Sequence, residues 1–184
     1  MKRAITAPPT LAPMALAELK AWLGISTTRE DAELTGLIRT ALELCEGFIG
    51  MMPLVTDCEE VLQACGNWQS LATRPVKAIS GVLAIAADGT RTALAATDYD
   101  IDIDAEGTGR VRLNRPIDQT RVAVKFAAGM AEGWDTLPEA IRQGLVRWAA
   151  YQHRDRARDN DKAMAGPPAS VAALWRPWRR MRIA

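Results

Sequence analysis

Asp100, Asp102 and Asp104 stand at the D-x-D-x-D spacing of the first three ligands of a calcium-binding loop. Such a loop also needs glycine at its sixth position, for a sharp turn, and a bidentate glutamate at its twelfth. Those places hold Ala105 and Val111. The segment reads instead as a strand, with Tyr99, Ile101 and Ile103 facing the core and the three aspartates facing water. His153 is the one histidine, and catalytic use would need a nucleophile or carboxylate brought to it by the fold. It stands in "QHRDRARD", which reads as a solvated helical face. Cys45, Cys58 and Cys65 form no CxxC pair, and beside a single histidine they make no zinc set. Their odd number also speaks against a secreted disulfide framework, so reduced, mostly buried thiols in a cytoplasm are expected. G-x-S-x-G, P-loop and Rossmann patterns are absent. Gly107-Thr108-Gly109 is a turn with no following helix to cradle a phosphate. No catalytic residue, metal ligand or cofactor is assigned, and an enzyme is not expected.

The chemistry that remains is recognition. The closing stretch "VAALWRPWRRMRIA", residues 171–184, holds two tryptophans, four arginines, one proline and no acid, although the whole chain carries a net charge of only +1. That near balance excludes a whole-surface nucleic-acid binder, so any basic function must be local. Val171, Leu174, Trp175 and Trp178 follow helical spacing, and Pro177 stops or kinks the helix near Arg176. Burying the six large apolar side chains of residues 171–184 stabilises the tail about as much as fixing its backbone costs. The tail is therefore expected to be poorly ordered alone and ordered by a partner, with Trp and Arg as anchors. Its removal is expected to leave the rest folded. Upstream, Arg154, Arg156, Arg158 and Lys162 interleave with Asp155, Asp159 and Asp161. They read as a solvated helix with local ion pairs, or more sharply as a helix that meets a neighbouring subunit.

These groups need elements to position them. Residues up to about 50 read as helices: "MALAELKAWLG", with Leu16, Leu19 and Leu23 on one face and Gly24 as the stop, then a longer helix opened by a capping-box-like Thr28/Asp31 pair. Its buried stripe is Leu34, Leu37, Ile38, Ala41, Leu42, Cys45, Phe48 and Ile49. From about 55 to 129 the chain reads as short strands, with a hairpin at Asp88-Gly89 and an alternating strand at Val122, Val124 and Phe126. Pro138 then opens a helix whose stripe is Ile141, Leu145, Trp148 and Ala149, and which projects beyond the core past Tyr151. The reading is α+β: mainly a helical bundle (about 11–50 and 137–162) with an inserted small antiparallel sheet or sandwich, and a projecting C-terminal helix and tail. A single domain over 1–166 is followed by a docking segment over 167–184. The N-terminus "MKRAITAPPT" lacks the apolar run of a signal peptide, and no stretch approaches the roughly 18 apolar residues of a membrane span. A soluble protein made in the cytoplasm is expected, with no membrane partner.

The order of segments carries more than any one of them: "LAELKAWLGI", "DAELTGLIRTALELCEGFIG", "RPVKAISGV", "ADGT…YDID", "VAVKFAAGM", "LPEAIRQGLVRWAAYQHRDR" and "VAALWRPWRRMRI". In that order they resemble the head–tail connector, or adaptor, proteins of long-tailed bacteriophages and phage-derived gene transfer particles. The resemblance implies a structural protein in the neck of a virion or phage-like particle, assembled in the bacterial cytoplasm. It implies a homo-oligomeric ring of about twelve copies under the portal protein, joined on its far side to the next connector or stopper protein. DNA would pass through the ring without sequence-specific contact. It also implies a portal-binding segment at Leu174, Trp175, Arg176, Pro177, Trp178, Arg179 and Arg180. Leu174, Pro177, Arg179 and Arg180 match the family's closing pattern, and Trp175 and Trp178 depart from it. Arg154, Arg156 and Arg158 are the candidate subunit contacts. The other reading of the residues is a cytoplasmic DNA-binding or regulatory module whose basic tail contacts phosphates.

Overall fold

The structure, a computed structural model, describes residues 3–9, 11–156 and 166–179. The chain divides into two compact units, one of strands and one of helices. Strands are as common as helices, so the class is α+β with two antiparallel sheets, and the expectation of a mainly helical protein is corrected. The physical reason is that the β segment is no small insertion: Leu54–Met130 forms a unit of its own and recruits a strand from the N-terminus.

The strands are β1 (Arg3–Ala7), β2 (Thr56–Gln63), β3 (Gln69–Ser70), β4 (Val76–Ile85), β5 (Arg91–Ala93), β6 (Tyr99–Ile103), β7 (Gly109–Leu113) and β8 (Arg121–Ala128). Five run in the order β1-β2-β8-β4-β5, and three in the order β3-β7-β6. Val122, Val124 and Phe126 of β8 are buried as their pattern predicts, but Ala123 between them is fully buried too, because β8 is the central strand of its sheet. Its register sets Val122 beside Leu62 and Ala84, and Phe126 beside Cys58 and Ile79. The Asp88-Gly89 hairpin forms between β4 and β5. Gly89 adopts φ 87°, and the Asp88 carboxylate accepts the Thr90 N–H at 2.8 Å. β1 was not expected: its five residues are all exposed, so it carries no buried alternation to read; it pairs with β2 through its backbone, and the Thr6 hydroxyl donates to the Asp57 carbonyl at 3.0 Å.

The aspartate-rich segment is a strand, as expected, but its faces are not those expected. β6 is the edge of its sheet, with a neighbour on one side only, so Ile101 and Ile103 remain 47% and 36% exposed. The aspartates face arginines of β7. Asp100 accepts two bonds from Arg112, at 2.7 and 3.0 Å, while Asp102 and Asp104 lie 4.0 and 3.5 Å from Arg110. Asp104 also accepts the Thr108 and Glu106 N–H groups, and these bonds, Thr108 first, hold its carboxyl below the usual range.

The helices are α1 (Pro13–Leu23), α2 (Asp31–Ile49), α3 (Glu139–Arg156) and α4 (Ala169–Trp175). α1 stops at Gly24, whose φ of 73° lets its N–H turn back to the Ala21 carbonyl. The α2 stripe buries Leu34, Ile38, Ala41, Leu42, Cys45 and Ile49, while Leu37 and Phe48 are half-buried. The expected capping box is replaced. The Asp31 carboxylate takes Lys20 Nζ at 2.7 Å, and the Asp31 N–H bonds the Thr28 carbonyl. α3 buries Ile141, Leu145, Trp148 and Ala149, as its stripe predicts. Pro138 precedes it and accepts the Arg142 N–H. Among the described residues no helix is long and apolar enough to cross a membrane.

Burial pushes the Cys45 thiol up to about 12 from 9.0, with the charge of Glu46 adding to it. The native state thus keeps its proton where the unfolded chain loses it. Stability should fall as pH rises from about 9 towards 12, because there the unfolded chain binds fewer protons. Half-exposed Cys65 should react with a thiol reagent under native conditions while Cys45 does not. Peptide mapping after brief alkylation checks this, and labelling of Cys45 at the rate of Cys65 would refute it.

Candidate docking site

The described part of the C-terminal segment packs within the helical unit, so the units do not coincide with the expected division at 166/167. Pro168 precedes α4, and its carbonyl accepts the Val171 and Ala172 N–H groups. α4 ends at Trp175, and Arg176–Trp178 continue as a single 3-10 turn around Pro177. That is the stop that proline imposes on a helix.

Trp175 is not a free anchor. It is fully buried, and its ring centroid lies 6.0 Å from that of Phe48. Its indole Nε1 donates to the Ile141 carbonyl at 3.3 Å. The seat exists because residue 144 has no side chain: a Cβ on Gly144 would lie 2.1 Å from Trp175 Nε1. The expectation that residues 171–178 wait unpacked for a partner is therefore corrected. Val171 and Trp175 belong to the helical core, and residues 171–184 cannot be removed without cutting into it. Gly144 was the legible signal, since glycine inside a helix costs about 1 kcal/mol against alanine and needs a reason.

What remains outward is Arg176, Pro177 and Arg179, which are exposed, and Leu174 and Trp178, which are half-buried. The Arg179 guanidinium lies 5.3 Å from the centre of the Phe48 ring. The surface thus offers two cations beside a partly covered indole, fit to meet carboxylates or carbonyls and an apolar contact. Arg180 lies outside the described residues, as do Arg158 and the side chain of Arg156.

Arg154 is exposed and lines a groove of about 490 Å³ with Trp22, Arg147, Tyr151 and Val171. The Arg147 guanidinium lies 5.5 Å from the centre of the Trp22 ring, a cation–π contact that sequence spacing did not disclose. Trp148 and Tyr151 stack behind it at 5.8 Å. His153 sits elsewhere on α3, its Nε2 3.0 Å from Glu30 Oε2 at the start of α2. It meets a carboxylate, and that pairing joins two helices of the unit.

Fold and surface together define a class: a two-unit α+β protein that exposes Arg154, Arg176 and Arg179 and, among its large apolar groups, Trp22 and Trp68. No family model matches the chain, and no curated protein does. Solved structures do. The chain is similar to a chain of the neck of an empty gene transfer agent (GTA) particle determined with C6 symmetry, at 26% identity, over 100% of this chain and 98% of that one, with a TM-score of 0.79. It is similar at the same identity to a chain of the virion of a native GTA particle, over 100% and 98%, with a TM-score of 0.75. A chain of the native GTA neck determined with C12 symmetry gives 26% identity, 98% and 97% coverage and a TM-score of 0.73.

Proposed function

We propose that this chain is a structural subunit of the neck of a phage-like particle, a head–tail adaptor forming a closed ring under the portal protein. The carrying observation is the full-length likeness to a neck chain, at a TM-score of 0.79 and covering both units. The C6 and C12 symmetries of the similar necks support repeated, head-to-tail copies around an axis. In this reading DNA passes through the ring without base-specific contact. The far side receives the next connector or stopper protein. Arg176, Trp178 and Arg179 contact the portal, the arginines pairing with its carboxylates or carbonyls and the indole filling an apolar site.

The test is a reconstruction of particles carrying a tagged copy, made without imposed symmetry. A closed ring of identical copies at the neck is expected, and a two-fold dimer there, or no copy at the neck, sinks the proposal. The docking residues need a variant that spares the core. Arg176→Ala, Trp178→Ala and Arg179→Ala together should lower the thermal melt far less than Trp175→Ala does, since Trp178 is only half-buried and Arg179 lies on the outside of the Phe48 ring. They should lower attachment to DNA-filled heads by about tenfold or more. Normal attachment would remove the portal role from these residues. Binding that collapses between about 50 and 200 mM salt would instead mark them as phosphate contacts.

A further inference from the structure

We propose that the acidic edge strand β6 of one copy docks into the Trp22–Arg147–Arg154 groove of the next copy, a contact that rests on the ring reading above. Two surfaces left incomplete by the fold carry it.

The groove is lined by Trp22, Arg147, Ala150, Tyr151, Arg154 and Val171. Trp22 is 45% exposed, unusual for so large an apolar group. Neither Arg147 nor Arg154 has an ion-pair partner among the described residues. Asp155 is the one acid lining the groove, so the lining carries two positive charges against one negative. It calls for an apolar segment that also bears carboxylates.

β6 has that composition. As an edge strand it leaves one row of backbone N–H and C=O groups without a strand beside it. Ile101 and Ile103 are among the most exposed large apolar side chains of the described residues. Residues 99–113 hold four acids (Asp100, Asp102, Asp104, Glu106) against two arginines (Arg110, Arg112), a local charge of −2. Asp102 is only loosely held at home, half-exposed and 4.0 Å from Arg110. Entering the groove edge-on, β6 would set Ile101 and Ile103, on one face of the strand, over Trp22 and Ala150, and Asp102 and Asp104, on the other face, towards Arg154. The two patches differ, so the contact is heterologous: it propagates head to tail and closes when the rotation divides a full turn. A two-fold pair would need one patch to complement itself.

The experiment is sedimentation velocity of the full chain over a wide concentration range at low salt. Arg154→Glu and Asp102→Arg each place like charges together, and each should weaken self-association by about tenfold or more. Both in one chain should restore it, because each copy then offers the reversed pair. Trp22→Ala should weaken association without being rescued. Thermal melts of the single variants should match the parent, since the reversed side chains are exposed. A chain that stays monomeric throughout, reversals without effect, or a double variant that fails to recover would each overturn the proposal. Loss of melting temperature in Arg154→Glu with unchanged association would mean that the copy's own chain covers the groove, which also overturns it. A neck ring that persists in particles bearing Arg154→Glu would leave the ring reading standing and remove this contact alone.

Discussion

Trp175→Ala should destabilise the helical unit by about 3–5 kcal/mol, the cost of deleting a fully buried aromatic side chain. That corresponds to a melting midpoint lowered by on the order of 10 °C. The indole fills the space between α3 and α4 and reaches Phe48 on α2, and its N–H meets the Ile141 carbonyl. Gly144→Ala should do comparable damage for the converse reason. In an open helix interior, alanine is favoured over glycine by about 1 kcal/mol. Here its methyl carbon would fall 2.1 Å from Trp175 Nε1 and 2.7 Å from Cε2, and the rigid ring has no flexible end to yield. The sign is the diagnostic. A stabilised or unchanged Gly144→Ala protein, followed by far-ultraviolet circular dichroism on heating, would show that α4 is not seated on α3. Loss of stability in both variants would establish α4 as core, leaving Arg176, Trp178 and Arg179 as the outward part of the segment.

The same contact shows where the sequence was legible and where it was not. The stripes of α2 and α3 could be read because each helix repeats its own period, and Leu34, Ile38, Ala41, Leu42 and Cys45 fall where that period puts them. Asp88-Gly89 could be read because a tight hairpin needs positive φ. The burial of Trp175 is not legible in the tail, because what stabilises it lies outside the tail. Its partner, a notch at Gly144, is an absence on another helix, and nothing within 171–178 encodes it. β1 was missed because a strand with five exposed residues has no inward face to repeat. The β6 isoleucines were assigned inward by alternation, which gives the face of a strand but not whether a neighbour covers it. Of the surface, Arg154, Arg176 and Arg179 could be singled out as cations, but Trp22 and Arg147 meet only through the packing of α1 against α3.

Glu60→Ala is the second variant expected to be costly, also by about 3–5 kcal/mol, and its neighbour Glu59 supplies the control. The two glutamates stand side by side on β2, so alternation sends them to opposite faces, and an inward carboxylate looks like an error of pattern. The structure gives it work. Glu60 is fully buried. Its Oε2 accepts the Ala72 N–H at 2.9 Å, and its Oε1 accepts the Thr73 N–H at 2.8 Å and the Thr73 hydroxyl at 2.6 Å. The carboxylate thereby holds the segment between β3 and β4 against β2, with Leu71 fully buried beside it. Alanine would leave a cavity and strand these donors, each unmet buried group costing about 1–3 kcal/mol. Glu60→Gln keeps an oxygen acceptor but turns an amide N–H₂ towards other donors, so its loss should be intermediate. Glu59 is buried too, its side chain 5% exposed, but it meets Arg91 through both oxygens at 2.6 Å, and that guanidinium is 46% exposed and partly screened by water. Glu59→Gln keeps one oxygen acceptor for that guanidinium and leaves no backbone donor stranded, so it should cost clearly less than Glu60→Ala. Chemical denaturation ranks the three variants, and hydrogen exchange adds a local reading: the Ala72 and Thr73 amides should exchange much faster in Glu60→Ala and stay slow in Glu59→Gln. If the two glutamates cost the same, or if those amides keep their protection without Glu60, the segment is held by packing around Leu71 and the buried carboxylate is not its anchor.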